Sequence, residues 1–300
     1  MAPQGITGRV LTNVSMKRYT SMRVGGPVPY LFYPEDEADL RAAIVWLASR
    51  RLPFRFLGNG TNVIVADRGF PAGLIRVSRM RRLRFTPTRT GSLVEAGAGL
   101  SLKSLIQACA ARGLAGLERL FCIPGTVGGA LKMNAGSFGA AVSDCLIGFR
   151  SMDETGAAAK RRKDEVRFGY RSSSISDREC VIEAAFGLET GDPVRIKADM
   201  DYVRRERLKK HPMEMPSAGS IFKNKNGSPC WSHIDRAGLR GLKLGAACVS
   251  EKHPNFIVNM GGASASDVKR LIETVKKRVA EATGATLEEE VELWGFDDGA

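Results

Sequence analysis

Apolar residues recur along this 300-residue chain with two periods, and each change of period marks an element. Leu40, Ala43, Ile44 and Leu47 lie on one helical stripe behind Asp36, a capping residue, so a helix is expected over 36–50. Leu102, Leu105, Ile106 and Cys109 predict a second over 101–112, stopped by Gly113. A strongly basic helix over 194–210 ends before His211-Pro212, and a short one covers 231–237. A long helix begins near Ser264 or Ser266, carries Val268, Leu271, Ile272, Val275 and Val279 inward, and ends at Gly284. Strand signals fall at 28–33, 54–57, 63–66, 74–77, 92–96, 181–188, 220–223, 255–259 and 287–293, with a hairpin-like pair at 145–152 and 157–161. Residues 1–20 read as a polar lead-in. The alternation is irregular in both halves and shows no internal repeat, which predicts an α+β protein.

Two glycine-bearing stretches interrupt this pattern. Ile123-Pro124-Gly125-Thr126-Val127-Gly128-Gly129-Ala130 runs on to Met133-Asn134-Ala135-Gly136, with almost no charge. Glycine disfavours a helix here, and Val127, Leu131 and Met133 are too apolar for a linker. The stretch reads as a close backbone surface for a flat or phosphorylated ligand; a structural turn is the alternative. Gly58-Asn59-Gly60-Thr61-Asn62 sits between two strand signals. Gly58 and Gly60 suit positive φ there, and Asn59, Thr61 and Asn62 offer side-chain hydrogen bonds, as a pyrophosphate site would need. A plain hairpin is the competing reading.

Length suggests two domains of about 150 residues. The formal charge of +13 favours anionic partners or a generally basic surface. Arg79, Arg81, Arg82 and Arg84 have only Phe85 nearby as a stacking aromatic, so a solvated edge fits better than a nucleic-acid reader. The six cysteines form no C-x-x-C pair and read as reduced core residues, without disulfide or zinc site. No apolar signal core or membrane-length run is present, so a soluble, cytoplasmic protein is expected. No G-x-G-x-x-G follows the first strand, so the ordinary dinucleotide fold is not indicated.

Gly25-Gly26, the two glycine stretches, Gly169-Tyr170-Arg171-Ser172-Ser173, Ala218-Gly219-Ser220-Ile221-Phe222-Lys223-Asn224, Gly241-Leu242-Lys243, His253-Pro254-Asn255-Phe256-Ile257-Val258-Asn259 and Leu287-Glu288-Glu289-Glu290-Val291 occur in one order. Together they resemble the UDP-N-acetylenolpyruvoylglucosamine reductases of bacterial cell-wall synthesis, in their shorter form, from about Tyr19 to Gly295. The resemblance implies a two-lobed FAD-binding domain of the vanillyl-alcohol-oxidase type over 20–192, with lobes of about 20–75 and 76–192. It further implies a basic helix and connector over 193–216 and a C-terminal α+β substrate-binding domain over 217–300. The implied reaction is NADPH-driven reduction of UDP-N-acetylglucosamine enolpyruvate to UDP-N-acetylmuramate in a monomer or weak oligomer, with no metal.

The resemblance also implies site residues. FAD would lie on Gly58, Asn59, Gly60, Thr61, Asn62, Pro124, Gly125, Thr126, Gly128, Gly129, Asn134 and Ala135. Arg171 would hold the substrate carboxylate and enolate, Ser220 would give the proton, and Glu290 would assist as a protonated acid. Tyr170, Lys223 and Asn224 would contact the substrate. Without the resemblance, Arg171 reads as a surface arginine and Ser220 as a turn serine. Strand alternation would place Glu288, Glu290 and Glu292 on one face, so only the Leu-x-x-Glu-Val spacing selects Glu290. His211 and His233 have no motif partner, and His253 reads as structural. The family pattern is broken at Asn59 and Thr61, at Pro254, and after Asn224, where Lys225-Asn226 stands in place of proline. Another FAD oxidoreductase of the same fold, or a basic nucleic-acid-binding protein, are the rival readings.

Overall fold

A computed structural model describes residues 5–225 and 228–296; Asn226, one of the pattern breaks, lies outside them. The chain forms two compact units. The first contains residues up to Thr12, Tyr30–Asn59 and Ala72–Glu206; the second contains Asn13–Pro29, Gly60–Pro71 and the chain from Arg207.

In the first unit, a four-stranded sheet runs in the order Arg9–Ser15, Pro27–Tyr33, Gly73–Arg76, Phe54–Leu57. Leu31 pairs with Leu74 and Phe56 with Ile75, both in parallel register. Helix α1, Glu37–Ser49, lies on it, and Asp36 caps it through the Asp39 N–H. A larger antiparallel sheet runs Ala158–Arg162, Leu146–Met152, Cys180–Thr190, Gly91–Gly97, Leu83–Pro87. Helix α2, Leu102–Ala110, buries Leu102, Leu105, Ile106 and Cys109, as its periodicity predicts. One continuous core joins Leu40, Ile44 and Leu47 to Ile75, Val94, Leu105 and Ala184.

The glycine-rich stretch departs from expectation. Residues Val127–Lys132 form a short helix, α3, capped by Thr126. Packing overrides propensity here: a Cβ on Gly128 would stand 2.9 Å from the Ala98 Cβ, so the glycine lets α3 press onto its neighbour. The lead-in also holds a strand, Arg9–Ser15, and the arginine run holds another, Leu83–Pro87, at the end of its sheet. Arg84 on that strand is exposed and pairs with Glu95 across to the neighbouring strand.

Helix α4 spans Pro193–Lys210, with only Ile196 and Val203 buried. In the second unit, an antiparallel sheet runs Ser217–Ser220, Phe256–Asn259, Ala247–Val249, Lys243–Leu244. Helix α5, Cys230–Arg236, and helix α6, Ala265–Thr283, contribute Cys230, Ile234, Val268, Leu271, Ile272 and Val275 to the core of this unit. Ser264 caps α6 and Gly284 ends it at φ 71°. Glu292–Trp294 pairs in parallel with Val63–Val65. Two strand expectations are corrected. The strand expected at 220–223 is Ser217–Ser220 followed by an isolated pairing at Phe222, and the one expected at 287–293 shrinks to Glu292–Trp294. The alternation argument for Glu288, Glu290 and Glu292 therefore does not apply. No helix among the described residues is long and apolar enough to cross a membrane.

Asp39 shows how the first unit is fastened. It is buried and accepts hydrogen bonds from Thr7 N at 2.9 Å, Thr7 Oγ1 at 2.9 Å, Gly8 N at 2.7 Å and Glu35 N at 3.2 Å. Burial opposes its charge, yet these bonds outweigh it and hold the carboxyl below its ordinary 3.8. A carboxyl lowered on folding adds stability that is complete above pH 3.8 and is lost as pH falls through the folded value. Asp39→Asn should cost about 2 kcal/mol at neutral pH, and the difference from wild type should shrink in strong acid. Urea unfolding of both proteins against pH checks this; a pH-independent difference would refute it.

Candidate functional site

The first unit brings Gly58 against the longer glycine stretch; Gly60, Thr61 and Asn62 belong to the second unit. Phe54–Leu57 and Val63–Val65 belong to different sheets, so the loop between them is no hairpin. Gly58 lies so close to the longer stretch that a Cβ on it would sit 2.7 Å from Thr126 Oγ1. Its φ is not positive; close approach, rather than backbone conformation, demands glycine here. The Gly58 carbonyl accepts from Arg76 Nε at 3.1 Å. Within the longer stretch, Val127 N donates to Leu100 O at 2.9 Å and Gly128 N to Ala98 O at 3.0 Å. Those two amides are spent inside the protein. Thr126 Oγ1 takes the Gly129 amide at 3.3 Å, and Ala135 N donates to Ala130 O at 2.8 Å. Of the residues expected to hold a ligand at 124–136, Gly128 gives its N–H to Ala98 O.

Asn134 anchors a second feature to this surface. It is buried at φ 42°, donates through Nδ2 to Gly169 O at 2.9 Å, and accepts at Oδ1 from Ser143 N at 3.3 Å. Gly169 belongs to a small hairpin, Phe168–Gly169 paired with Ser172–Ser173, whose turn is Tyr170-Arg171. Ser173 Oγ donates to Lys132 O at 2.6 Å, at the end of α3. The hairpin is thus pinned to the glycine stretch at both of its strands. Arg171 sits at φ 51°, a backbone shape uncommon outside glycine. Its Nη1 lies 3.2 Å from where a Gly136 Cβ would be, and its guanidinium carbon lies 5.0 Å from the centre of the Tyr170 ring. Tyr170 itself is exposed.

The second unit brings together Ser220 and Glu290. Ser220 pairs with Phe256 at the end of its strand. One residue on, the Ile221 carbonyl accepts from Glu290 N at 2.7 Å. Asn62 Nδ2 donates to the Glu290 carbonyl at 3.0 Å, so the Glu290 peptide is held from two sides. Gly60 sits at φ 63°, against the Tyr19 carbonyl.

The carboxylates around Glu290 have other employment. Glu288 meets Lys223 Nζ at 2.7 Å and Lys225 Nζ at 3.4 Å. The Lys223 hydrogen bond holds its carboxyl below the usual range. Glu289 takes Lys276 Nζ at 2.7 and 2.9 Å, and Glu292 accepts from Trp294 Nε1 at 2.9 Å. Burial, then the charge of Glu290, push the Cys230 thiol up to about 11. Asn224 spends its Oδ1 on Cys230 N at 2.9 Å, at the start of α5. His211 and His253 pack with Phe256, ring centres 5.1 Å apart, and burial pushes both down to about 4, leaving them neutral.

Residues 211–294 match the family described as UDP-N-acetylenolpyruvoylglucosamine reductase, C-terminal domain, and residues 28–160 match a FAD binding domain family. A UDP-N-acetylenolpyruvoylglucosamine reductase of Carboxydothermus hydrogenoformans is 39% identical over 291 residues, covering 97% of this chain and 95% of that protein. One from Geobacter sulfurreducens is 40% identical over 290 residues, with 97% and 95% covered. The chain belongs to the UDP-N-acetylenolpyruvoylglucosamine reductase family. The crystal structure of the Thermus caldophilus reductase superposes with a TM-score of 0.81 at 36% identity, over 96% of this chain and 99% of that one.

Within this reductase fold, the sequence signal missed two side chains that tie the site segments together: Asn62 toward Glu290 and Asn255 toward Phe222. Both stood in the matched blocks, but nothing in their spacing distinguishes a ligand contact from a backbone clamp. Asn134→Ala should leave Gly169 O and Ser143 N without partners, costing about 2 kcal/mol, and should loosen the Arg171 hairpin. Limited trypsin digestion should then cut at Arg167 or Arg171 several times faster than in wild type. An unchanged cleavage rate would mean that Ser173 alone pins the hairpin.

Proposed function

We propose that this chain is an FAD-dependent enzyme that uses NADPH to reduce the enolpyruvyl group of a UDP-N-acetylglucosamine enolpyruvyl ether, giving UDP-N-acetylmuramate for peptidoglycan. The activity is that named for the reductases it matches along nearly its whole length. The observation that carries the site assignment is the Glu290 amide bonded to the Ile221 carbonyl, which fixes Glu290 one residue from Ser220.

The residues fit an FAD. Thr126 fills the Cβ side of Gly58, which holds the two glycine stretches close enough together to serve one ligand. Pro124, Gly125, Thr126, Gly129 and Ala135, with Asn59, Gly60 and Thr61, would hold it. Asn62 and Asn134 act by bracing neighbouring backbone. When bound, FAD supplies the hydride chemistry.

Hydride addition to the methylene carbon moves the double-bond electrons toward the carboxylate, as an enolate. Arg171 is assigned to that charge, since a guanidinium stays protonated and matches two oxygens at once. Its hairpin is fastened to the FAD-side stretch through Asn134 and Ser173. Ser220 is assigned to deliver the proton to the adjacent carbon. Glu290 is assigned as a protonated acid stabilising the enolate. Lys223 is assigned to the nucleotide part of the substrate; it must then leave or share Glu288.

Ser220→Ala and Glu290→Gln should leave flavin reduction by NADPH nearly intact and slow reoxidation by the enolpyruvyl substrate by about 100-fold or more. Stopped-flow measurement of the two half-reactions separates these. Equal slowing of both would contradict the proton-donor role, and an unchanged Glu290→Gln would pass the acid role to Glu288 or Glu292. Gly58→Ala forces Thr126 Oγ1 to move and should weaken flavin retention at least about tenfold, a free-energy change of about 1.4 kcal/mol. Flavin released on ultrafiltration measures it; full retention would take Gly58 out of the cofactor surface.

A further inference from the structure

Asn255 is buried, and its side-chain amide bonds both backbone polar groups of one residue, Phe222. Oδ1 accepts from Phe222 N at 3.0 Å, and Nδ2 donates to Phe222 O at 2.8 Å. Its own carbonyl accepts from Ile221 N at 2.8 Å. This is the work of a strand neighbour done by a side chain. The regular ladder between Ser217–Ser220 and Phe256–Asn259 stops at the Ser220–Phe256 pair. Pro254, just before Asn255, has no N–H to carry it further.

The segment so held is the one that matters. On its opposite edge Ile221 O takes Glu290 N at 2.7 Å, and Lys223 N donates to Glu288 O at 2.8 Å. Residues 220–223 are therefore clamped between Asn255 and the 288–290 stretch. Ser220 lies two residues from the clamped peptide, and Glu290 hangs on the peptide before it.

We propose that Asn255 is a positioning residue for enolpyruvyl reduction: through its paired hydrogen bonds to Phe222 it sets the place of Ser220 and, by way of the Ile221 carbonyl, of Glu290. This rests on the assignment of Ser220 and Glu290 as the groups serving the second half-reaction. Without the amide, the buried Phe222 N–H and C=O lose both partners, and the segment must shift to satisfy them. A misplacement of about 1 Å at reacting groups can cost about 100-fold in rate.

The test uses the flavin-loaded full chain carrying Asn255→Ala or Asn255→Asp, the second keeping the acceptor for Phe222 N–H. Flavin reduction by NADPH should stay within about two-fold of wild type in both. Reoxidation by the enolpyruvyl substrate should slow by about 100-fold in the alanine variant and by less in the aspartate variant, with KM for that substrate little changed. If the alanine variant does not hold flavin, the aspartate variant decides. The proposal is overturned if reoxidation is unaffected, if both half-reactions slow by one factor, or if both variants lose the fold or the flavin. Ser220→Ala, measured alongside, separates the two readings: normal reoxidation there would defeat the acid assignment, while selective slowing by Asn255 would still mark the segment as reactive.

Discussion

A peptide group removed from water must find a hydrogen-bond partner, and around this site regular secondary structure does not supply enough of them. The stretches at 124–136, 168–173, 220–224 and 288–291 are short or irregular. Side chains fill the gaps. Thr126 takes the Gly129 amide, Asn134 the Gly169 carbonyl, Asn255 both polar groups of Phe222, Asn62 the Glu290 carbonyl and Asn224 the Cys230 amide. Asparagine suits this work because one short side chain both donates and accepts. Irregular backbone can thereby be held as firmly as a strand.

The elements that periodicity alone could read were the ones whose stability is local. Helices α1, α2 and α6 stand where their apolar stripes and capping residues put them, Asp36, Ser101 and Ser264 included. The hairpin of Leu146–Met152 with Ala158–Arg162 also follows its alternation. What the chain hides is decided by neighbours distant in sequence. Glycine at 128 and 129 argues against a helix, yet α3 forms because Thr126 caps it and Ala98 receives it. Glu288 to Val291 alternates like a strand, yet only Phe222 with Glu289 pairs there.

The same limit applies to the cofactor surface. Glycine content marked where main chain comes close, but not which amides remain for a ligand. Val127 and Gly128 resemble the others in composition and have already given theirs to Leu100 and Ala98. Asn134, a cofactor contact on the family resemblance, also bonds the Gly169 carbonyl and the Ser143 amide. For both, the distinguishing fact is a partner more than eight positions away in the chain.

The pairing of the neighbouring glutamates is decided by the same kind of fact. An acid that must keep its proton cannot sit beside a lysine, because the ammonium favours the carboxylate. Glu288 has Lys223 and Lys225, and Glu289 has Lys276 from the middle of α6. Two adjacent carboxylates are thus paired with cations drawn from two separate segments. The basic excess of the chain occupies two of these carboxylates, while the backbone ties Glu290 to the residue after Ser220.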